Sequence, residues 1–177
     1  MREVVPATIA VSAPSGTPVL LLREVGADRY LPIWIGLPEA QAIALAARGA
    51  KTERPPTHAL ISAVIEAFGQ RLREIVITDL RDGIFHAELV FDSGMRVSAR
   101  PSDAVALALR AGASIQAEDD LLDQLTLSAD QLGVPQDDDV ADGENTEDPE
   151  AEVERLRAFL DHADPEDFGR YGPSNSD

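Results

Sequence analysis

Two turns set close together, Asp82-Gly83 and Asp92-Ser93-Gly94, constrain this chain more than any other feature. A two-residue Asp-Gly loop favours a hairpin because its central positions need positive φ, and a three-residue loop places its glycine in the left-handed region. The first turn sets Arg81 opposite Ile84, Leu80 opposite Phe85, Asp79 opposite His86, Thr78 opposite Ala87 and Val76 opposite Leu89. The second sets Phe91 opposite Met95, Leu89 opposite Val97, Ala87 opposite Ala99, Glu88 opposite Ser98 and His86 opposite Arg100. Apolar residues then meet on one face, so residues 72–99 are predicted to form three antiparallel strands. The other face carries a row of Asp79, His86 and Arg100 leading into Pro101-Ser102-Asp103.

The preceding chain predicts a hairpin from Val4–Val11 and Pro18–Glu24, joined at Pro14-Ser15-Gly16, and a third strand over Arg29–Gly36. Pro32 calls for an edge position or a bulge there, because it cannot donate to a ladder. A helix over 38–48 follows, with Pro38 in its first turn, Glu39 complementing its dipole and Gly49 as its stop. After the KTERPP connector, Thr57 is the expected N-cap of a second helix carrying Leu60, Ile61, Val64, Ile65 and Phe68 at helical spacing. A third helix is predicted over Pro101–Ala111, then a short strand at Ile115–Glu118 and a helical finish over Asp119–Leu132. The segments PEAQAIALA and PSDAVALAL share A-[IV]-A-L-A, beginning at Ala42 and Ala104, 62 residues apart. Duplication and convergence of two small-faced buried helices both account for that likeness.

These elements predict an α+β fold: one compact domain over 1–134, mainly an antiparallel sheet with packed helices, plus an acidic C-terminal tail. At 177 residues and 44% apolar composition the chain can bury a substantial core. The formal charge of −17 is uneven. Residues 136–177 hold 15 acids and 3 bases, a net −12, whereas residues 1–135 hold 17 acids and 12 bases, a net −5. Residues 135–148 read as an acidic linker too polar to offset the entropy of ordering. Residues 149–177 read as a short helical extension, with Val153, Leu156, Phe159 and Leu160 at helical spacing to dock on the domain or on a protein partner. No cysteine, signal-peptide pattern or membrane-length apolar stretch is present, so a cytoplasmic location without membrane contact is expected. A homo-oligomer is a further candidate assembly.

The helix entrances at Pro38-Glu39-Ala40-Gln41 and Pro101-Ser102-Asp103 offer unpaired backbone N–H groups and positive potential suited to an anion. Glu39 and Asp103 would repel that anion unless a divalent metal, an arginine or a substrate hydroxyl intervenes. Otherwise Ser102 or Asp103 caps its helix and Glu39 complements its dipole. Asp79 could orient His86 as a base beside Arg100, or the three could form a surface charge ladder. His58 is a candidate base or ligand or a solvated histidine, and Arg54 a candidate anion contact in a loop stiffened by Pro55-Pro56. Tyr30 and Trp34, on an apolar strand, suit core or subunit packing better than base stacking. No Gly-rich phosphate loop, nucleophile elbow, zinc-binding HExxH helix or dinucleotide fingerprint occurs.

The blocks RYLPIWIGLPEAQAIALA, RPPTHALI, ITDLRDGIFHAEL and VSARPSDAVALALRAGA, in this order over about residues 4–133, closely resemble the bifunctional nuclease domain family. FLDHADPEDFG resembles the short C-terminal extension of bacterial members. The resemblance implies, for some members, metal-dependent hydrolysis of RNA and DNA with little base preference. Carried over by motif, Glu39, His58, Asp79 and Asp103 become catalytic candidates, and Gln41, Arg54, Arg81, Arg100 and Ser102 substrate-binding candidates. Glu39, Asp79 and Asp103 would hold one or two Mg²⁺ or Mn²⁺ ions. His86 departs from the tyrosine often found there, and the UVR-type motif of some plant members is missing. The expectation is a metal-dependent nuclease acting on nucleic acid. The alternative is a non-catalytic regulatory or scaffold module that binds a small anion or a protein partner.

Overall fold

The computed structural model describes residues 1–12, 16–50 and 52–128. Expectations for Pro14-Ser15, the first residue of the KTERPP connector, residues 129–132 of the helical finish, the acidic linker and the C-terminal extension lie outside the described residues. The chain order is β1 (Arg2–Ser12), β2 (Thr17–Glu24), β3 (Arg29–Trp34), α1 (Leu37–Ala47), α2 (Thr57–Ala67), β4 (Leu72–Arg81), β5 (Ile84–Phe91), β6 (Arg96–Ala99), α3 (Pro101–Ala111), β7 (Ser114–Ala117), α4 (Asp119–Leu125) and β8 (Leu127–Ser128). Eight strands form one sheet in the order β6-β5-β4-β7-β1-β2-β3-β8. All pairings are antiparallel except β4 with β7, so the α+β expectation holds.

The sheet has an internal symmetry. Each of the meanders β1-β2-β3 and β4-β5-β6 leads into a helix with proline at its start and an acid in its first turn. The two meanders flank β7, with β4 on one side and β1 on the other. Gly36 and Arg100 are the corresponding N-caps, and Glu39 and Asp103 each stand three residues further on. In this alignment the shared A-[IV]-A-L-A segments are two residues out of step, so the likeness read from sequence and the repeat seen in the fold have different registers.

The predicted β4–β5 register holds from Arg81 to Asp79 and then slips by one. Thr78 is an extra residue in a bulge, so Ile77 pairs with Ala87 and Ile75 with Leu89, in place of the expected Thr78 and Val76. The cause is facial. Ile75, Ile77 and Leu80 all pack on one core with Ala87, Leu89 and Phe91, but positions 77 and 80 cannot share a face of a regular strand. Full burial of an isoleucine is worth about 2 kcal/mol, which outweighs one disrupted ladder position. The β5–β6 register is as expected, and Gly94 takes its left-handed φ of 81°.

α3 lies at the centre of the helical layer, with Ala104, Val105, Ala106, Leu107 and Ala108 all buried. Its alanines admit close approach by α1, which buries Ala40, Ile43 and Ala46. α2 departs from expectation. Pro56 rather than Thr57 is its N-cap, and none of its residues is buried. Leu60, Ile61, Val64 and Phe68 are exposed, while Ile65 packs partly on the core. Tyr30 is buried as expected, but Trp34 is exposed. β8 covers β3 only at Arg29 and Tyr30, so Pro32 falls on an edge, as its missing N–H requires. The expected helix over Asp119–Leu132 ends at Leu125 and gives way to β8.

At the other end of the sheet the buried Glu24 Oε1 accepts from Arg2 Nη1 at 2.9 Å. Arg29 Nη2 stands 2.7 Å from Glu24 Oε2 without hydrogen-bonding alignment. Arg2 also donates to Asp119 and Asp123, tying β1 to α4. Among the described residues no helix is long and apolar enough to cross a membrane.

Candidate active site

The first turns of α1, α2 and α3 are joined by four side chains. Arg100, the N-cap of α3, grips Asp103 one turn on through Nε to Oδ2 at 2.6 Å and Nη2 to Oδ1 at 3.1 Å. This fork fits the planar guanidinium to a carboxylate. Arg100 Nη1 also donates to Glu39 Oε1 of α1 at 2.9 Å. His58, in the first turn of α2, lies with Nε2 3.0 Å from Asp103 Oδ1.

Burial opposes ionisation of Asp103, but the hydrogen bonds from Arg100 and His58 outweigh it and hold the carboxyl below its ordinary value. An ionised carboxylate only accepts, so His58 Nε2 must carry the proton. The free ring position, Nδ1, is then basic, and the carboxylate fixes the tautomer. The same fork raises the pKa of Arg100, against the effect of burial and with further support from Glu39. Arg100 has five N–H donors, and these three bonds leave one N–H on each terminal nitrogen. Its side chain is 65% exposed, whereas His58 is 15% exposed. The entrance therefore offers a recessed base next to an accessible fork.

Gly36 is the functional residue that sequence reading missed. It marks the end of the predicted strand, yet a Cβ there would collide with Glu39 Oε2. The absent side chain lets Glu39 fold back over the start of its own helix and reach Arg100. In the sequence, an acid three residues beyond a glycine N-cap was the available signal.

The other predicted residues are elsewhere or differently placed. Arg100 leaves the sheet at the α3 N-cap, so the expected row of Asp79, His86 and Arg100 stops at the Asp79–His86 pair. Asp79 bonds Arg81 Nε at 2.6 Å. That bond, opposed by burial and aided by the Leu80 N–H and by His86, holds its carboxyl low. Asp79 also lines a cavity of about 510 Å³ with Thr78, Leu80, Glu118, Asp120 and Gln124. Ser102 is buried, and neither it nor Asp103 makes a side-chain cap to its own helix. Gln41 and Arg54 are exposed, and the Arg54 carbonyl accepts from Thr52 Oγ1 at 2.7 Å.

The three carboxylates expected to hold Mg²⁺ or Mn²⁺ do not form one ligand set. Glu39 and Asp103 already share a guanidinium, and Asp79 is paired with Arg81. Among the described residues no group of three or more His, Asp or Glu side chains is arranged to hold a metal ion.

Residues 20–130 match the model of the family described as Bifunctional nuclease domain, a span that includes all four side chains of the cluster. Two proteins of Mycobacterium tuberculosis strains, Uncharacterized protein MT1877 and Uncharacterized protein Rv1829, are each 48% identical over 168 residues, covering 95% of this chain and 98% of the relative.

Proposed function

This chain belongs to the bifunctional nuclease domain family, and from that premise we propose that its three-helix entrance hydrolyses phosphodiester bonds of RNA and DNA with little base preference. The observation that carries the reading is the His58–Asp103–Arg100–Glu39 cluster, assembled from the starts of three helices. The free N–H groups of Arg100 would hold two non-bridging phosphate oxygens and offset the charge developing on them. His58 Nδ1 would take a proton from a water as that water's oxygen bonds to phosphorus. The P–O bond to the departing sugar oxygen then breaks, and that oxygen takes a proton from solvent. Asp103 stabilises the imidazolium formed meanwhile.

Arg100 addresses the phosphate that every nucleotide carries and His58 addresses the attacking water, and neither reads a base, which fits weak base preference. The acidic domain offers no long-range attraction for nucleic acid. Locally, the cluster carries one net negative charge while His58 is neutral, and the positive ends of α1, α2 and α3 at its helix starts offset it. Glu39, Asp79 and Asp103 do not form a shared ligand set for Mg²⁺ or Mn²⁺, and phosphate binding and proton transfer fall to Arg100 and His58.

Cleavage of single-stranded RNA and DNA by rigorously purified protein, with and without EDTA, tests the proposal alongside Glu39→Gln and Asp103→Asn. Turnover that falls in both variants supports it. Activity that survives both substitutions rejects the site. Specific anion or partner binding without turnover favours the regulatory alternative.

A further inference from the structure

We propose that Trp34 is a stacking platform for an unpaired base beside the phosphate that the site cleaves, which makes single-stranded nucleic acid the substrate class. The inference rests on the nuclease reading above. Trp34 is 61% exposed at the end of β3, and a lone exposed apolar side chain ordinarily needs no explanation. What distinguishes Trp34 is its place beside the cluster. The Ile35 N–H donates to the Pro18 carbonyl at 3.0 Å, and Gly36 keeps extended backbone with φ −80° and ψ 163°, so residues 34–36 continue the strand. Alternation then points the Trp34 side chain to the same side as the Cβ that Gly36 lacks, about 7 Å away along the chain. Glu39 Oε2 occupies that Cβ position, and Glu39 Oε1 accepts from Arg100 Nη1. The indole therefore borders the Glu39–Arg100 pair, within one nucleotide of a phosphate held by Arg100.

The ring stands on rigid backbone. Trp34 pairs directly with Val19, itself buried, and cross-strand neighbours on one face are close enough to pack. An indole so held loses little entropy on binding and offers a π-face to any base. Charge favours this kind of contact. Residues 1–135 hold 17 acids and 12 bases, so long-range attraction for phosphate is lacking and affinity has to come from an interaction that does not depend on charge. Stacking is one, and it tolerates every base, in keeping with weak base preference. A base inside a duplex is already stacked on its neighbours and is not available to Trp34.

Trp34 is the sole tryptophan of the chain, so its emission reports stacking directly. Binding is measured on the full chain carrying His58→Gln, which keeps the strand uncut, by Trp34 fluorescence and by anisotropy of labelled strands. The probes are a short oligothymidylate, the same backbone with abasic sites, and an oligothymidylate–oligoadenylate duplex. The single strand should quench Trp34 and bind roughly 10-fold or more tightly than either the abasic strand or the duplex. Adding Trp34→Ala should abolish that preference, and Trp34→Phe should restore part of it. Absence of binding, equal affinity for the oligothymidylate and the abasic strand, or unchanged Trp34 emission at saturation overturns the proposal. Turnover by wild-type protein that does not distinguish the abasic strand overturns the stacking role alone. Base-dependent quenching without turnover overturns the nuclease reading and leaves Trp34 as a base-binding residue.

Discussion

His58 Nε2 and Asp103 Oδ1 lie 3.0 Å apart although 45 residues separate them in the chain. The contact joins the first turn of α2 to the first turn of α3, and Arg100 extends it to α1 through Glu39. Each partner fixes a property of the next. Arg100 keeps Asp103 ionised, and ionised Asp103 dictates which nitrogen of His58 bears the proton.

Gly36→Ala separates the site from the fold. The Cβ would clash with the end of the flexible Glu39 side chain and make an ordinary contact with Pro38, and Gly36 has an ordinary φ of −80°, so thermal unfolding should change by about 1 kcal/mol or less. Glu39 would be displaced from Arg100, and nuclease turnover should fall by roughly 10-fold, the effect of weakening one charge-assisted hydrogen bond. Paired melting and turnover measurements check this; a large loss of stability with unchanged turnover would contradict it.

Asp103 makes stability depend on pH in a defined direction. Its folded carboxyl titrates below the ordinary value of 3.8, so the unfolded chain binds protons first as the pH falls. The stabilisation is fully present above that ordinary value and is lost as pH drops through the depressed one. The stability difference between wild type and Asp103→Asn, followed by denaturant titration, should be constant near neutral pH and narrow below about pH 4. A difference that grows on acidification would refute the assignment.

The bulge in β4 predicts an asymmetric response to deletion. Removing Thr78 leaves Ile77 opposite Ala87 and Asp79 opposite His86, so the variant should fold and melt cooperatively. Removing Val76 instead forces Ile75 or Ile77 off the core face, at a cost of about 2 kcal/mol or more. Equilibrium unfolding of both variants distinguishes the cases, and equal destabilisation would show that Thr78 is not the extra residue.

The strands and helices were largely legible because their signals are local. Gly94 and the Asp82-Gly83 turn fix neighbouring backbone, and Pro38 and Pro101 mark helix starts within a turn. The bulge at Thr78 was not legible, since it is decided by how Ile75, Ile77 and Leu80 share a core assembled from distant elements. The exposure of Leu60, Val64 and Phe68 was equally hidden, because helical periodicity says that a face is apolar without saying what covers it. At the site, Glu39, His58, Arg100 and Asp103 were each visible as candidates. Their association was not, because the turn from β6 into α3 carries Arg100 out of the sheet and away from the row expected with Asp79 and His86.

The most direct test of the central claim is a double-mutant cycle on phosphodiesterase turnover with His58→Gln, Asp103→Asn and the combined variant. If Asp103 acts through His58, each single substitution lowers kcat by roughly 100-fold or more, and the combined variant is about as slow as His58→Gln alone. Fully multiplicative losses, or turnover retained in His58→Gln, would contradict the account.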